Sequence, residues 1–331
     1  VIVLVLGLGR GAALAAAALA DPRVDRVDVH DPDPAVATPV GCRRLPNGEQ
    51  VHADLVIVAG PPESHLANCL AALATGSIVL CETPPVSTVA EARALAGAAA
   101  RSGKTVMLAE DYLWLDWMEP THAVHEDGAL GEVVAARGAY LEDARAAFHI
   151  GGRPTWRSTM APLHYTTHIL APLLDLTGDR VETVWGFDGP RHAGGAAAVA
   201  HAVMRTNTGI VIDLTVGFGA SYPYGFELEL VGSRRSVRLE QRTDGRSLHS
   251  GTQAHSGWVT GPDGSLADDG AQRRTHAMVG HALDVVGGAV PRCGTEHMLR
   301  NVLPGIAAAA SAASGSRPEA VPNPRDWLPN L

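Results

Sequence analysis

Lysine is nearly absent from this chain of 331 residues: Lys104 is the only one among 26 Lys and Arg residues. Any chemistry that needs an amine must use that residue or do without it. Charged residues amount to 18% and the net charge is −9, which excludes a general basic footprint for nucleic acid or an anionic membrane. Cysteine is scarce too. Cys42, Cys69, Cys81 and Cys293 stand apart with no Cys-x-x-Cys spacing, so neither a disulfide framework nor a zinc site is expected. They read as the reduced thiols of a cytoplasmic protein. Against these absences stands a hydrophobic content of 46%, enough for sizeable cores in a chain whose length implies two domains.

The first twenty residues, Val1 to Ala20, are nearly all apolar. No basic segment precedes them, Arg10 interrupts them, and Gly7, Gly9 and Gly11 divide them, so neither a signal peptide nor a membrane span is expected. The better reading is a strand over Val1–Leu6, a glycine turn and an alanine-rich helix. Gly7-Leu8-Gly9-Arg10-Gly11-Ala12 then falls between strand and helix, the context that a dinucleotide-binding Gly-x-Gly-x-x-Ala pattern requires. Gly7 allows the tight turn, Gly9 lets the backbone approach a pyrophosphate, and Ala12 takes the close-packing position. The helix N-terminus offers unpaired N–H groups to the phosphates. A second strand, Val27–His30, ends at Asp31, whose carboxylate can bind both ribose hydroxyls and repel a 2′-phosphate. NAD is therefore expected as cofactor in preference to NADP.

Further strands are expected at Leu55–Ala59, Ile78–Cys81 and Val106–Ala109, separated by helices over Glu63–Ala74 and Val86–Ala100. This alternation predicts an α/β fold, a Rossmann doubly wound parallel sheet over residues 1–120. From about Gly131 the rhythm changes. Glu132–Leu141, Val181–Phe187, Ala197–Arg205, Ile210–Gly219, Phe226–Val231 and Ser236–Glu240 read as strands, several alternating apolar with polar residues. They predict a mostly antiparallel sheet with one open face, in a second domain over residues 121–331. Arg242–Asp269 reads as loops or a weak hairpin, and helices over Thr275–Val286 and Thr295–Ala313 close the chain.

Several motifs, in order, resemble the Gfo/Idh/MocA oxidoreductase family. They are Gly60-Pro61-Pro62-Glu63-Ser64-His65, Gly76-Ser77-Ile78-Val79-Leu80-Cys81-Glu82-Thr83-Pro84, and Gly128-Ala129-Leu130-Gly131-Glu132-Val133. Arg153-Pro154-Thr155-Trp156-Arg157, with Pro162-Leu163-His164-Tyr165-Thr166-Thr167-His168, is similar to a branch of that family carrying a Tyr-x-Thr-His motif. The resemblance implies an open-faced α/β second domain whose sheet supports a homo-oligomer, dimer or tetramer, with C-terminal helices packing back near the first domain. It implies hydride transfer between a nicotinamide and a small sugar-like or cyclitol-like molecule, with neither nucleic acid nor membrane as partner. Carried over by position, Gly7, Leu8, Gly9, Arg10, Gly11, Ala12, Asp31, Gly60, Pro61, Pro62, His65, Glu82 and Thr83 would hold the cofactor. Trp156 and Arg157 would reach it from the second domain, and Glu110, Tyr112, Arg157, His164 and His168 would meet substrate.

One position departs from the resemblance. The family's Glu-Lys-Pro lysine, which polarises the reacting oxygen, is here Thr83, whose hydroxyl carries no charge and cannot titrate near neutrality. Lys104 precedes a strand and so belongs at the opposite end of the sheet. His164 stands where many relatives place an acid. The expected replacements are His168 and Tyr165, with His164 and Thr83 assisting. His164 and His168, four apart, would share a helix face with Tyr165 alongside His164. That pair could supply two metal ligands, with a third from Glu82, Glu110, Asp111 or His149, but no spacing requires it and no metal is expected. Two other readings stay open: a redox-neutral lyase, epimerase or glycosidase using NAD transiently, and an inactive NAD-binding sensor or partner protein. Tyr112, Trp114 and Trp117 read as core or as a pocket wall, and Asp143, Arg145 and His149 as substrate contacts or solvated loop.

Overall fold

A computed structural model describes residues 1–47, 49, 51–191, 195–222, 224–242, 245–251, 259–260 and 270–328. The chain divides into two units: Val1–Trp114 with Asp269–Arg300 and Asn323–Leu331, and Leu115–Asp268 with Asn301–Pro322. The expected limits of 1–120 and 121–331 shift in consequence. The first unit ends at Trp114 and reclaims a C-terminal segment.

The first unit is a six-stranded parallel sheet. Its strands are β1 (Ile2–Leu6), β2 (Arg26–His30), β3 (Arg43–Arg44), β4 (Leu55–Val58), β5 (Ile78–Cys81) and β6 (Val106–Leu108), in the order β3-β2-β1-β4-β5-β6. Every residue of β4 and of β6 is buried, as expected for parallel strands covered on both faces. Three helices cross between strands: α1 (Gly11–Leu19), α2 (Pro62–Ala74) and α3 (Val89–Ser102). Pro62 opens α2, where a missing N–H costs nothing. Thr88 and Glu91 close a reciprocal cap on α3, each accepting the other's backbone N–H at 3.1 Å. Gly103, with φ +63°, ends that helix, and Lys104 follows in the turn before β6. The helix Gly270–Val286 completes this unit: its Met278, Val279, Ala282 and Leu283 share one buried cluster with Val3, Val5, Leu14 and Ala18. The small side chains of α1 leave room for it.

The second unit opens with α4 (Met118–Glu126) and β7 (Val133–Leu141). A short ribbon follows, β8 (His149–Ile150) and β9 (Arg153–Pro154), then α5 (Trp156–Thr159) and α6 (Thr167–Thr177). The remaining strands are β10 (Val181–Asp188), β11 (Val199–Thr206), β12 (Val211–Gly217), β13 (Gly225–Gly232), β14 (Ser236–Arg242), β15 (Gly245–Gly251), β16 (Val259–Thr260) and β17 (Glu319–Ala320). They form a nine-stranded sheet in the order β16-β15-β14-β13-β7-β12-β11-β10-β17, in which only the β7–β12 pair is parallel. Alternation sorts its faces. Ile212, Leu214 and Val216 on β12 and Ala200, Ala202 and Met204 on β11 are buried, while Asp213, His201 and Arg205 face the other way. Within the stretch expected as loops or a weak hairpin, β15 pairs with β14. The rest of Arg242–Asp269 lies largely outside the described residues.

Candidate active site

The first unit places its candidates beyond the carboxyl ends of the parallel strands, where ligands of such sheets bind. Gly7 has φ +90°, and a Cβ there would lie 2.5 Å from the backbone N and Cα of Gly60, so the loop after β1 presses directly on the turn after β4. The N–H of Gly7 donates to His30 O at 2.8 Å and that of Leu8 to Asp31 Oδ2 at 2.7 Å. Asp31 also accepts from Asp33 N–H, through Oδ1 at 3.0 Å. A Cβ on Gly9 would meet no atom within 4 Å, so space over the loop is open to a ligand. Close helix–sheet packing falls on Gly11 rather than Ala12: a Cβ on Gly11 would stand 3.0 Å from Val5 Cγ1, whereas Ala12 is half-buried.

Arg10, Arg26, Arg43 and Arg44 of this unit are engaged with protein partners. Arg10 donates to Thr275 Oγ1 at 3.0 Å and pairs with Glu82 at 3.5 Å and Asp111 at 3.7 Å. Arg43 clasps the buried carboxylate of Asp28 at 2.7 Å, joined by Arg26 at 3.1 Å. Arg44 donates to the carbonyls of Asp31 (2.9 Å), Asp33 (2.7 Å) and Val36 (2.6 Å), fastening the loop that carries Asp31. Asp111 is further held by Arg274 at 3.3 Å, whose guanidinium lies 5.7 Å from the Tyr112 ring centroid. Glu110, Tyr112, Thr83 and His65 are all buried. Pro61 and Pro62 form the turn and first residue of α2. Lys104 stands at the amino end of β6, away from these loops.

The second unit gathers the other candidates. The 331 residues include only 5% aromatics, yet Tyr140, Trp156, Tyr165, Phe218 and Tyr224 form one cluster, in which Tyr140 and Tyr165 meet a histidine. His168 stands 4.7 Å from Tyr140 and 5.2 Å from Tyr165, ring centre to ring centre. Phe218 meets Tyr165 edge-on at 5.0 Å. Trp156 stacks on Tyr165 at 5.9 Å and 14°, and Arg157 lies over Trp156 at 4.2 Å. The parallel β7–β12 pair brings Tyr140 and Phe218 to the same sheet end, and β13 begins there just after Tyr224. Tyr140, Phe218 and Tyr224 were not nominated from sequence. Alternation along β7 was the available signal for Tyr140 alone.

The shared helix face expected for His164 and His168 does not form. Pro162–Tyr165 make a separate 3-10 turn and α6 begins at Thr167, so i,i+4 geometry does not apply. Tyr165 neighbours His168 instead. Trp117 and Tyr112 are core residues, at 2% and 4% exposure. Asp143 and Arg145 pair with each other at 2.6 Å on the surface, and His149 is exposed. Among the described residues no three His, Cys, Asp or Glu side chains could hold a metal ion, and no helix is long and apolar enough to cross a membrane.

Comparison with known proteins gives both halves a match. Residues 1–110 match the family model described as the oxidoreductase family, NAD-binding Rossmann fold, of GFO/IDH/MocA, and residues 121–238 the GFO/IDH/MocA C-terminal domain. The inositol 2-dehydrogenase of Acidothermus cellulolyticus is 26% identical over 231 residues, 65% of each chain, so the match spans just under two thirds of that relative. The crystal structure of an oxidoreductase domain protein from Kribbella flavida superposes with TM-score 0.80 at 22% identity, covering 97% of this chain and 98% of that one. An inositol dehydrogenase homolog from Azotobacter vinelandii, complexed with NADH and myo-inositol, gives TM-score 0.77 at 20% identity over 97% of both chains. At these identities the structures show likeness of fold.

Proposed function

The chain belongs to the GFO/IDH/MocA oxidoreductase family, and from that premise we propose that it is an NAD-dependent oxidoreductase of a sugar-like or cyclitol-like small molecule. The observation that carries the reading is the loop at Gly7. A glycine at φ +90° pressed against Gly60, an open space above Gly9, and Asp31 tied to Leu8 N–H at 2.7 Å fit an adenosine ribose and pyrophosphate. The engagement of Arg10, Arg43 and Arg44 elsewhere supports NAD over NADP, because no arginine among them is directed at a 2′-phosphate. When bound, the nicotinamide supplies the hydride acceptor or donor that no side chain provides.

In this reading His168 takes and returns the proton of the reacting oxygen, with Tyr165 and His164 assisting, and Thr83 in the first unit is assigned separately as a hydroxyl hydrogen-bond donor. Arg157 is assigned to substrate, and the likeness to inositol 2-dehydrogenases supports a polyol ring. The open face of the nine-stranded sheet is assigned to a homo-oligomer contact. A second reading, net redox-neutral chemistry through transient oxidation, draws support from an imidazole in contact with two tyrosines.

The test begins with titration by NAD⁺, NADH, NADP⁺ and NADPH, read by energy transfer from tryptophan and by calorimetry. A panel of polyols and keto-sugars, myo-inositol included, follows in single-turnover mixing. NAD(H) binding tighter than NADP(H) and a nicotinamide absorbance change are expected. Absence of any absorbance change, with product carrying solvent deuterium, selects the redox-neutral reading. Binding with no chemistry at all defeats both.

A further inference from the structure

The ring of His65 is buried between two backbone carbonyls. Its Nε2 lies 2.8 Å from the oxygen of Gly60 and its Nδ1 lies 2.9 Å from that of Pro84. Gly60 is the backbone on which the glycine loop rests, since a Cβ on Gly7 would come within 2.5 Å of it. Pro84 directly follows Glu82 and Thr83. One side chain in the first turn of α2 therefore joins the support of the glycine loop to the loop occupying the family's lysine position.

We propose that His65 is a positioning residue, which sets the Glu82–Thr83–Pro84 loop against the Gly60 turn and grips both carbonyls at once only when both ring nitrogens carry protons. The proposal takes hydride transfer as the reaction of this site, and it gives His65 a role in placing Thr83 rather than in touching the dinucleotide.

The chemistry follows from the donor count. A neutral imidazole has one N–H and one lone pair, so between two carbonyl oxygens it donates to one and repels the other. The protonated ring donates to both, in charge-assisted bonds. Burial pushes the His65 pKa below the ordinary histidine value, against the pull of the two carbonyls and of Glu63 on the same helix. The neutral ring therefore prevails at neutral pH, and acidification completes the grip. Of the neighbouring groups, Glu82 on the loop faces Arg10 at 3.5 Å. Cys81 on β5 brings no charge, because burial pushes its thiol pKa well up.

The experiment compares wild type, His65→Ala and His65→Gln by hydrogen exchange at the Glu82, Thr83 and Val86 amides, alongside NAD⁺ calorimetry. Loss of the grip is expected to speed exchange of these amides about ten-fold in His65→Ala. The Leu8 and Gly9 amides should be unaffected, and the NAD⁺ Kd should move less than about three-fold. Glutamine, whose NH2 group can reach one of the two carbonyls, should restore part of the protection, and it carries the test if the alanine variant does not fold. As pH falls below the ordinary histidine value, protection corrected for chemical rate should rise in wild type and stay level in His65→Gln. Unchanged exchange in both variants overturns the proposal, as does a level pH response in wild type. So does an NAD⁺ affinity that falls about ten-fold while the loop amides stay protected, which would make His65 a cofactor contact. A wild type that shows the exchange contrast but never oxidises a polyol defeats the oxidoreductase reading and leaves the positioning role standing.

Discussion

The ring of Tyr140 stands 4.7 Å from that of His168, beside the 5.2 Å contact with Tyr165, and the two tyrosines stack on each other at 6.5 Å. Two adjoining aromatic neighbours limit the imidazole to few orientations, which is what a proton-transfer group needs. His168→Ala should lower turnover by about 10²–10⁴, the usual worth of a general acid–base group. Tyr140→Leu should lower kcat about ten-fold by letting His168 wander, with NAD⁺ affinity unchanged. Steady-state kinetics with calorimetry checks both, and wild-type kcat in His168→Ala would remove the residue from the mechanism.

Gly7→Ala should abolish dinucleotide binding. The added Cβ would lie 2.5 Å from the backbone of Gly60 at a φ of +90°, so the loop must move to admit it. A strain of about 1–3 kcal/mol is expected, read as a lower urea midpoint. A variant that binds NAD⁺ normally would show that the loop is not the cradle.

Asp31→Ala should weaken NAD⁺ and narrow its advantage over NADP⁺. The carboxylate is held by the N–H groups of Leu8 at 2.7 Å and Asp33 at 3.0 Å, with its position further fixed through Arg44. Losing charge-assisted bonds to ribose is worth about 1.5–3 kcal/mol, a ten- to hundred-fold rise in NAD⁺ Kd. Calorimetry with the four dinucleotides measures it, and an unchanged NAD⁺/NADP⁺ ratio would refute the assignment.

Asp28 makes stability depend on acid. Burial pushes its pKa up, but hydrogen bonds from Arg43 and Arg26 outweigh that and hold it below the ordinary carboxylate value. A lowered folded pKa means the contribution is present above about pH 4 and disappears as pH falls through the folded value. Asp28→Asn should cost about 1–3 kcal/mol at neutral pH and flatten the acid limb. Urea unfolding across that range reads both effects.

Much of the first unit was legible because its signals are local. Strand runs such as Leu55–Ala59, the Gly7–Ala12 turn and the acid at Asp31 each lie within one short segment; the strand ends one residue early, at Val58, and the close-packing position is Gly11 rather than Ala12. The helix Thr295–Ala313 was bounded to the residue, since apolar periodicity announces a helix. What periodicity cannot announce is the partner. That Met278 and Leu283 complete the core around Leu14 is a contact across most of the chain. The helical spacing assumed for His164 and His168 failed for a local reason, Pro162 starting a separate turn.

By itself, the sequence determined that a glycine loop, an acid after the second strand and a threonine in the lysine position would occur along one alternating fold. Backbone propensity and burial patterning act over a few residues and suffice for that. Only the tertiary structure decided that Arg10 turns to Glu82, that Arg44 fastens the Asp31 loop, that His65 lies between two carbonyls, and that Tyr140 and Tyr165 meet His168. Each is a meeting of side chains from distant segments. Strand order and register determine such meetings, and no local pattern records them.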